Sequence, residues 1–177
     1  MTVRIHVTVA SIATAVAAFA AVVPACAGGD KVAFPENHAA GVLFTTVDRP
    51  DNKQFREFYT STEALDAAKK GEPLPSGTVL TMIQYAAKLD AQGNPEKDAN
   101  GRFIKTEELA GIAVMEKRTG WGAEYADDVR NGEWEYQAFK ADKTVNDKAN
   151  LKGCFTCHKP LDKQDFVFSF DKMKTAK

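Results

Sequence analysis

With 177 residues, 44% of them apolar and 27% charged, the chain has the size and composition of one soluble globular domain. Its 24 acids against 23 bases, a formal net charge of −1, exclude the basic stripe that nucleic-acid binding requires. Three cysteines are too few for a disulfide scaffold, and the apolar fraction excludes collagen-like, low-complexity and disordered chains.

The first segment reads as an address. Residues 1–27 carry one charged side chain, Arg4, then an Ala- and Val-rich run from Ile5 to Val23, then Pro24 and the small-residue site Ala25-Cys26-Ala27. That is the layout of a secretory signal cleaved after Ala27. The alternatives are an uncleaved anchor, since the run approaches the ~20 residues that span a bilayer, and lipidation at Cys26, which Pro24 disfavours. Cleavage leaves 22 bases against 24 acids, with Cys154 and Cys157 as the remaining cysteines. The expectation is a periplasmic protein whose mature domain is residues 28–177. In that oxidising compartment two neighbouring thiols need a committed use.

Along the mature chain, Val42 to Val47 is rich in β-branched and aromatic residues and predicts a strand. A turn with Pro50 follows, then a strand over Phe55 to Thr60. Ser61 or Thr62 caps a helix over Glu63 to Lys70, closed by Gly71. Thr78 to Leu89 predicts a long strand, the polar residues 90–102 a solvated hairpin tip, and Leu109 to Lys117 the returning strand. That tip lacks the ligand spacing of a calcium loop. Residues 121–131 form a further loop, and Glu133 to Lys140 another strand. Asn146 to Lys159 reads as a helix, and the alternation Phe166-Val167-Phe168-Ser169-Phe170 as a final strand. The fold class is α+β, predominantly antiparallel sheet with a few helices.

Cys154-Phe155-Thr156-Cys157-His158 is the decisive motif. Two thiols three positions apart, followed at once by an imidazole, form the attachment signature of c-type haem. On a helix, positions i, i+3 and i+4 share a face, so both thiols can bond the vinyl groups while His158 reaches the iron. One haem c on the C-terminal helix is therefore expected, with His158 as its metal ligand. A lone redox C-x-x-C pair is the bland alternative, and no thioredoxin-like βαβ pattern accompanies it. For the other side of the iron, His38 reads as an exposed polar residue, and Met82, Met115 and Met173 are the thioether options. Phe44, Phe58, Tyr59, Trp134, Tyr136 and Phe139 could pave an apolar pocket, although each could equally be plain sheet core.

Several segments together resemble the cytochrome P-460 family and its relative cytochrome c′-beta. They are Phe34-Pro35-Glu36-Asn37, Arg56 with Tyr59 and Glu63, Pro75-Ser76-Gly77-Thr78-Val79, Gly132-Glu133-Trp134, and Cys154 to His158 followed by Asp165-Phe166-Val167-Phe168. The resemblance implies an antiparallel sheet with helices, a homodimer, and a high-spin haem with an open sixth position. It makes Met82, Arg56, Phe44 and Tyr59 candidates for cofactor contact beside the motif. In the P-460 enzyme proper a Lys on the strand after Gly-Thr-Val bonds the haem edge and hydroxylamine is oxidised; Met82 stands in that place here. The family's distal carboxylate falls at Ala113, with Glu116 nearby. Without a base, proton abstraction from hydroxylamine has no agent. The functional expectations, in order, are binding of a small gas such as nitric oxide, peroxide-driven oxidation that is weak unless Arg56 or Glu116 faces the iron, His/Met electron transfer to a redox partner protein, and hydroxylamine oxidation.

Overall fold

A computed structural model describes residues 31–177, so the export signal read from residues 1–27 lies outside the described part. Five strands run in simple succession: β1 (Val42–Arg49), β2 (Gln54–Thr60), β3 (Val79–Ala87), β4 (Lys105–Lys117) and β5 (Trp134–Phe139). Each pairs antiparallel with the next, in the order β1-β2-β3-β4-β5. With helices α1 (Thr62–Lys70), α2 (Leu151–His158) and α3 (Phe170–Lys174), the chain is α+β with the sheet dominant. Among the described residues no helix is long and apolar enough to cross a membrane.

Local signals explain most of the boundaries. Ser61 Oγ accepts from the Ala64 N–H at 3.3 Å to start α1, and Gly71, at φ +73°, ends it by returning its N–H to the last turn. β4 begins at Lys105, earlier than the expected Leu109. Lys105 Nζ is held by Glu57 at 2.6 Å and the Thr106 hydroxyl donates to the Ala86 carbonyl, which keeps this polar stretch on the sheet. The hairpin tip is itself laddered by bridges between Leu89 and Pro95 and between Lys97 and Phe103. α2 starts at Leu151, because Asn150 caps it by accepting from the Gly153 N–H at 3.0 Å.

One predicted element is overturned. Residues 166–170 form no strand; they make a turn that leads into α3. Asp165 and Phe166 take left-handed backbone, at φ +52° and +60°, which no strand accommodates. The buried residues Val167, Phe170 and Met173 recur every third position, a helical spacing that the Phe alternation obscured.

Cross-strand register divides the sheet into two faces. On one, here the motif face, Leu80, Met115, Trp134 and Tyr136 pack with Ala64, Leu65 and Ala68 of α1, Phe155 of α2, and Phe170 and Met173 of α3. Trp134, Phe155 and Met173 are fully buried, each worth about 2 kcal/mol or more of apolar transfer. On the far face, Ile83, Ile112, Val114 and Phe139 pack with Val32 and Phe34 of the segment before β1 and with Trp121. The loop before β5 wraps round that edge strand: Tyr125 stacks edge-on with Phe155 and donates its hydroxyl to Glu135 at 2.9 Å.

Candidate functional site

The helical layer covers only one end of the motif face. There, Leu80, Met115 and Tyr136 are aligned across β3, β4 and β5 and all three are buried. Two positions along, Thr45, Phe58, Met82, Ala113 and Ala138 line up across all five strands. Every member of this row is only half-buried, although it crosses the middle of the sheet. The next row holds Val47, Arg56, Gln84 and Gly111. A sheet interior left open in this way, and floored by small or apolar groups, is a seat for a flat apolar group.

The motif stands over that face. Phe155 anchors α2 against Tyr136, with ring centroids 4.7 Å apart, and Asn131 ties the two by donating to the Tyr136 hydroxyl and the Phe155 carbonyl, both at 3.0 Å. Burial pushes the Tyr136 phenol upward, so it stays neutral. Cys157 is exposed and lies close enough to Arg49 of β1 to influence it electrostatically, whereas Cys154 is half-buried and its thiol is raised by desolvation. Neither forms a disulfide.

His158 is already oriented. Its ring lies between Tyr136 and Phe168, each centroid 5.0 Å away, and its Nδ1 meets the Phe166 carbonyl at 2.6 Å. Desolvation lowers its pKa against the opposing effect of that bond, which keeps the imidazole neutral with Nδ1 as donor and Nε2 as a free lone pair. A metal-bound histidine needs this arrangement, because the bond at the second nitrogen fixes tautomer and ring plane. The acceptor belongs to the left-handed pair Asp165-Phe166, a conformation costing roughly 1–2 kcal/mol per non-glycine residue. Gly132 leaves room for the Phe166 ring, since a Cβ there would come within 3.1 Å of it.

The other sequence candidates separate by face. Phe44 and Phe58 meet edge to face at 6.3 Å beside the helical core, and Arg56 shares their side, its guanidinium donating to Gln54 at 2.8 and 3.1 Å. Tyr59 does not join them. It alternates to the far face, donates to Glu57 at 2.8 Å and packs against the second cluster, so of these two neighbouring aromatics only Phe58 borders the open row. Glu116 also lies on the far face, opposite Val79 and Glu135, with Arg118 at 2.6 Å. Met115 and Met173 are buried in the helix-covered core, which leaves Met82 as the half-buried thioether of the open row. His38 bonds the Pro35 carbonyl at 3.1 Å and borders a cleft of about 570 Å³ shared with Tyr59 and Thr81, away from the motif.

Sequence reasoning gave no role to Asn131, and placed Asp165 only within a segment of family resemblance. Asp165 acts through Leu74, Lys117 and Trp134, all far away in the chain, and Asn131 joins its near neighbour Tyr136 to the distant Phe155, so no local pattern gives their roles.

A neutral, pre-aimed imidazole, two free thiols on the same helix and an open apolar floor fit a haem, and together they define a haem-binding cytochrome built on an antiparallel sheet. The family comparison agrees. The Cytochrome P460 family model matches residues 37–169, from the turn before β1 to the edge of α3, and the chain belongs to that family. No curated protein shows a significant match to the chain.

Proposed function

We propose that the chain is an exported monohaem c-type cytochrome that binds small diatomic ligands, nitric oxide foremost, at an open iron site. Cys154 and Cys157 hold the haem by thioether bonds and His158 holds its iron. When bound, the haem supplies a vacant coordination position and a one-electron couple. The observation that carries this reading is the partition of charge across the sheet. Of the strand carboxylates, Asp48, Glu57, Glu116 and Glu135 lie on the far face, and none, the exposed Glu107 and Glu108 at the start of β4 included, pairs within the open row or the rows on either side of it. Phe58, Met82, Ala113 and Ala138 therefore offer walls without a proton acceptor. A neutral diatomic loses little hydration on entering such a site, whereas acid–base chemistry has no base to use. Arg49 and Arg56 supply positive charge on the same face for the carboxylates a haem carries. Likeness to the family extends the proposal to a homodimer in the periplasm.

The test is the absorption spectrum of the dithionite-reduced holoprotein, followed by titration with nitric oxide and carbon monoxide. A broad high-spin spectrum without a strong red shift, converted stoichiometrically by either gas, is the expected result. Sharp low-spin bands that disappear in Met82→Ala would overturn it in favour of electron transfer. A strongly red-shifted Soret band would indicate a modified macrocycle and hydroxylamine chemistry.

A second reading, peroxide-driven oxidation of small donors, draws on Arg56, the half-buried cation next to the open row. Peroxide turnover that falls in Arg56→Ala while gas binding persists would support it.

A further inference from the structure

The bond that aims His158 is not held by its own helix. Its acceptor is the carbonyl of Phe166, in the one place among the described residues where two successive non-glycine residues take left-handed backbone. Such a turn persists only where its surroundings hold it. The holder is the Asp165 carboxylate. It accepts from the Leu74 N–H at 2.8 Å and from Lys117 Nζ at 2.9 Å to each oxygen, and the Trp134 indole N–H lies at 3.3 Å. These three donors come from the loop after α1, the end of β4 and the start of β5. On the other side, the Phe166 ring rests against Gly132. Asp165 and Phe166 are thus clamped by their side chains from two directions, and the group left to point at the motif is the Phe166 carbonyl.

We propose that Asp165 is a positioning residue that sets the donor strength of His158 toward the iron. Asp165 bonds neither the imidazole nor any group beyond it, and it acts through the backbone. A short bond from Nδ1–H to a carbonyl shifts electron density onto the imidazole, strengthens the iron–nitrogen bond and favours the oxidised metal. Without the carboxylate, residues 165 and 166 relax toward ordinary backbone and the carbonyl turns away from Nδ1. Lys117 and Trp134 contribute by fixing the carboxylate. Both are buried, so water does not compete for these bonds.

The inference rests on the reading of His158 as the iron ligand, and its test separates the two. In the dithionite-reduced holoprotein, resonance Raman reads the iron–histidine stretching band and redox titration reads the midpoint potential. Asp165→Ala is expected to shift the band to lower frequency and the potential upward. Asp165→Asn, which tolerates left-handed backbone and keeps one oxygen for the Leu74 N–H, is expected to shift both less in the same directions. It also serves where the alanine variant does not fold. An unchanged band and potential beside a lowered melting temperature would overturn the proposal and leave Asp165 a purely structural residue. Absence of any iron–histidine band in an unaltered protein whose absorption spectrum is high-spin would overturn the reading of His158 itself, and the positioning role with it; in a low-spin protein the midpoint potential alone carries the test.

Discussion

The two faces of one sheet follow opposite rules. On the far face, the central row Glu57, Ile83, Ile112 and Phe139 is buried throughout, and its carboxylate is neutralised by Lys105 at 2.6 Å. Glu116 and Glu135 face each other across β4 and β5, an unfavourable pair that Arg118 at 2.6 Å and Lys31 at 3.6 Å offset. On the motif face, the row through Phe58, Met82, Ala113 and Ala138 is uncharged, apolar and only half-buried. The chain completes the far face with its own residues, whereas the motif face is finished only by something added. Adjacent residues on one strand therefore serve different ends, and substitutions at neighbouring positions should have unlike consequences.

The largest expected effect is at the motif. Replacing both Cys154 and Cys157 by Ala should abolish covalent haem, read as loss of haem-stained protein in a denaturing gel. Gas binding should then depend on haem retained by His158 alone.

Moving a carboxylate from one face to the other is the next test. Ala113→Glu introduces a base into the open row, and general acid–base groups contribute roughly 10²–10⁴ in rate. Peroxide turnover should rise at least on the order of tenfold, and an unchanged rate would mean that Ala113 does not border the reactive position.

A matched pair on β3 probes burial directly. Ile83→Ala should cost about 2–5 kcal/mol in denaturant unfolding, because Ile83 sits in the closed face at 4% exposure. Met82→Ala should cost less in stability and instead alter the rate of gas capture. Equal stability losses would erase the distinction between the faces.

The smallest effect concerns pH. A hydrogen bond from Arg102, whose Nε lies 2.8 Å from the carboxylate, holds the Asp48 carboxyl below its ordinary value. The folded chain thus releases that proton more readily than the unfolded one. The contribution is present above the unfolded value near pH 4 and is lost as pH falls through the lower folded value. Since the Arg102 side chain is partly exposed to solvent, it amounts to under about 1 kcal/mol. Asp48→Asn should remove this part of the acid dependence in pH-resolved melting curves and leave the haem spectrum unchanged.

What the sequence determined by itself was local. Ser61 and Gly71 delimit α1 because a cap bond and a left-handed stop involve only near neighbours. The spacing of Cys154, Cys157 and His158 places three groups on one helical face whatever the rest of the chain does. The five strands were also legible from β-branched and aromatic runs, to within a few residues at the ends, whereas the aromatic alternation over residues 166–170 misled. The tertiary structure alone decided which way each strand residue points, since a one-residue change of register exchanges the faces. That is why Phe58 stays on the motif face while Tyr59 leaves it, and why Glu116 is withdrawn from the open row. It also decided that residues 165–166 turn rather than extend: their conformation is set by Leu74, Lys117, Trp134 and Gly132, which no window along the chain brings together.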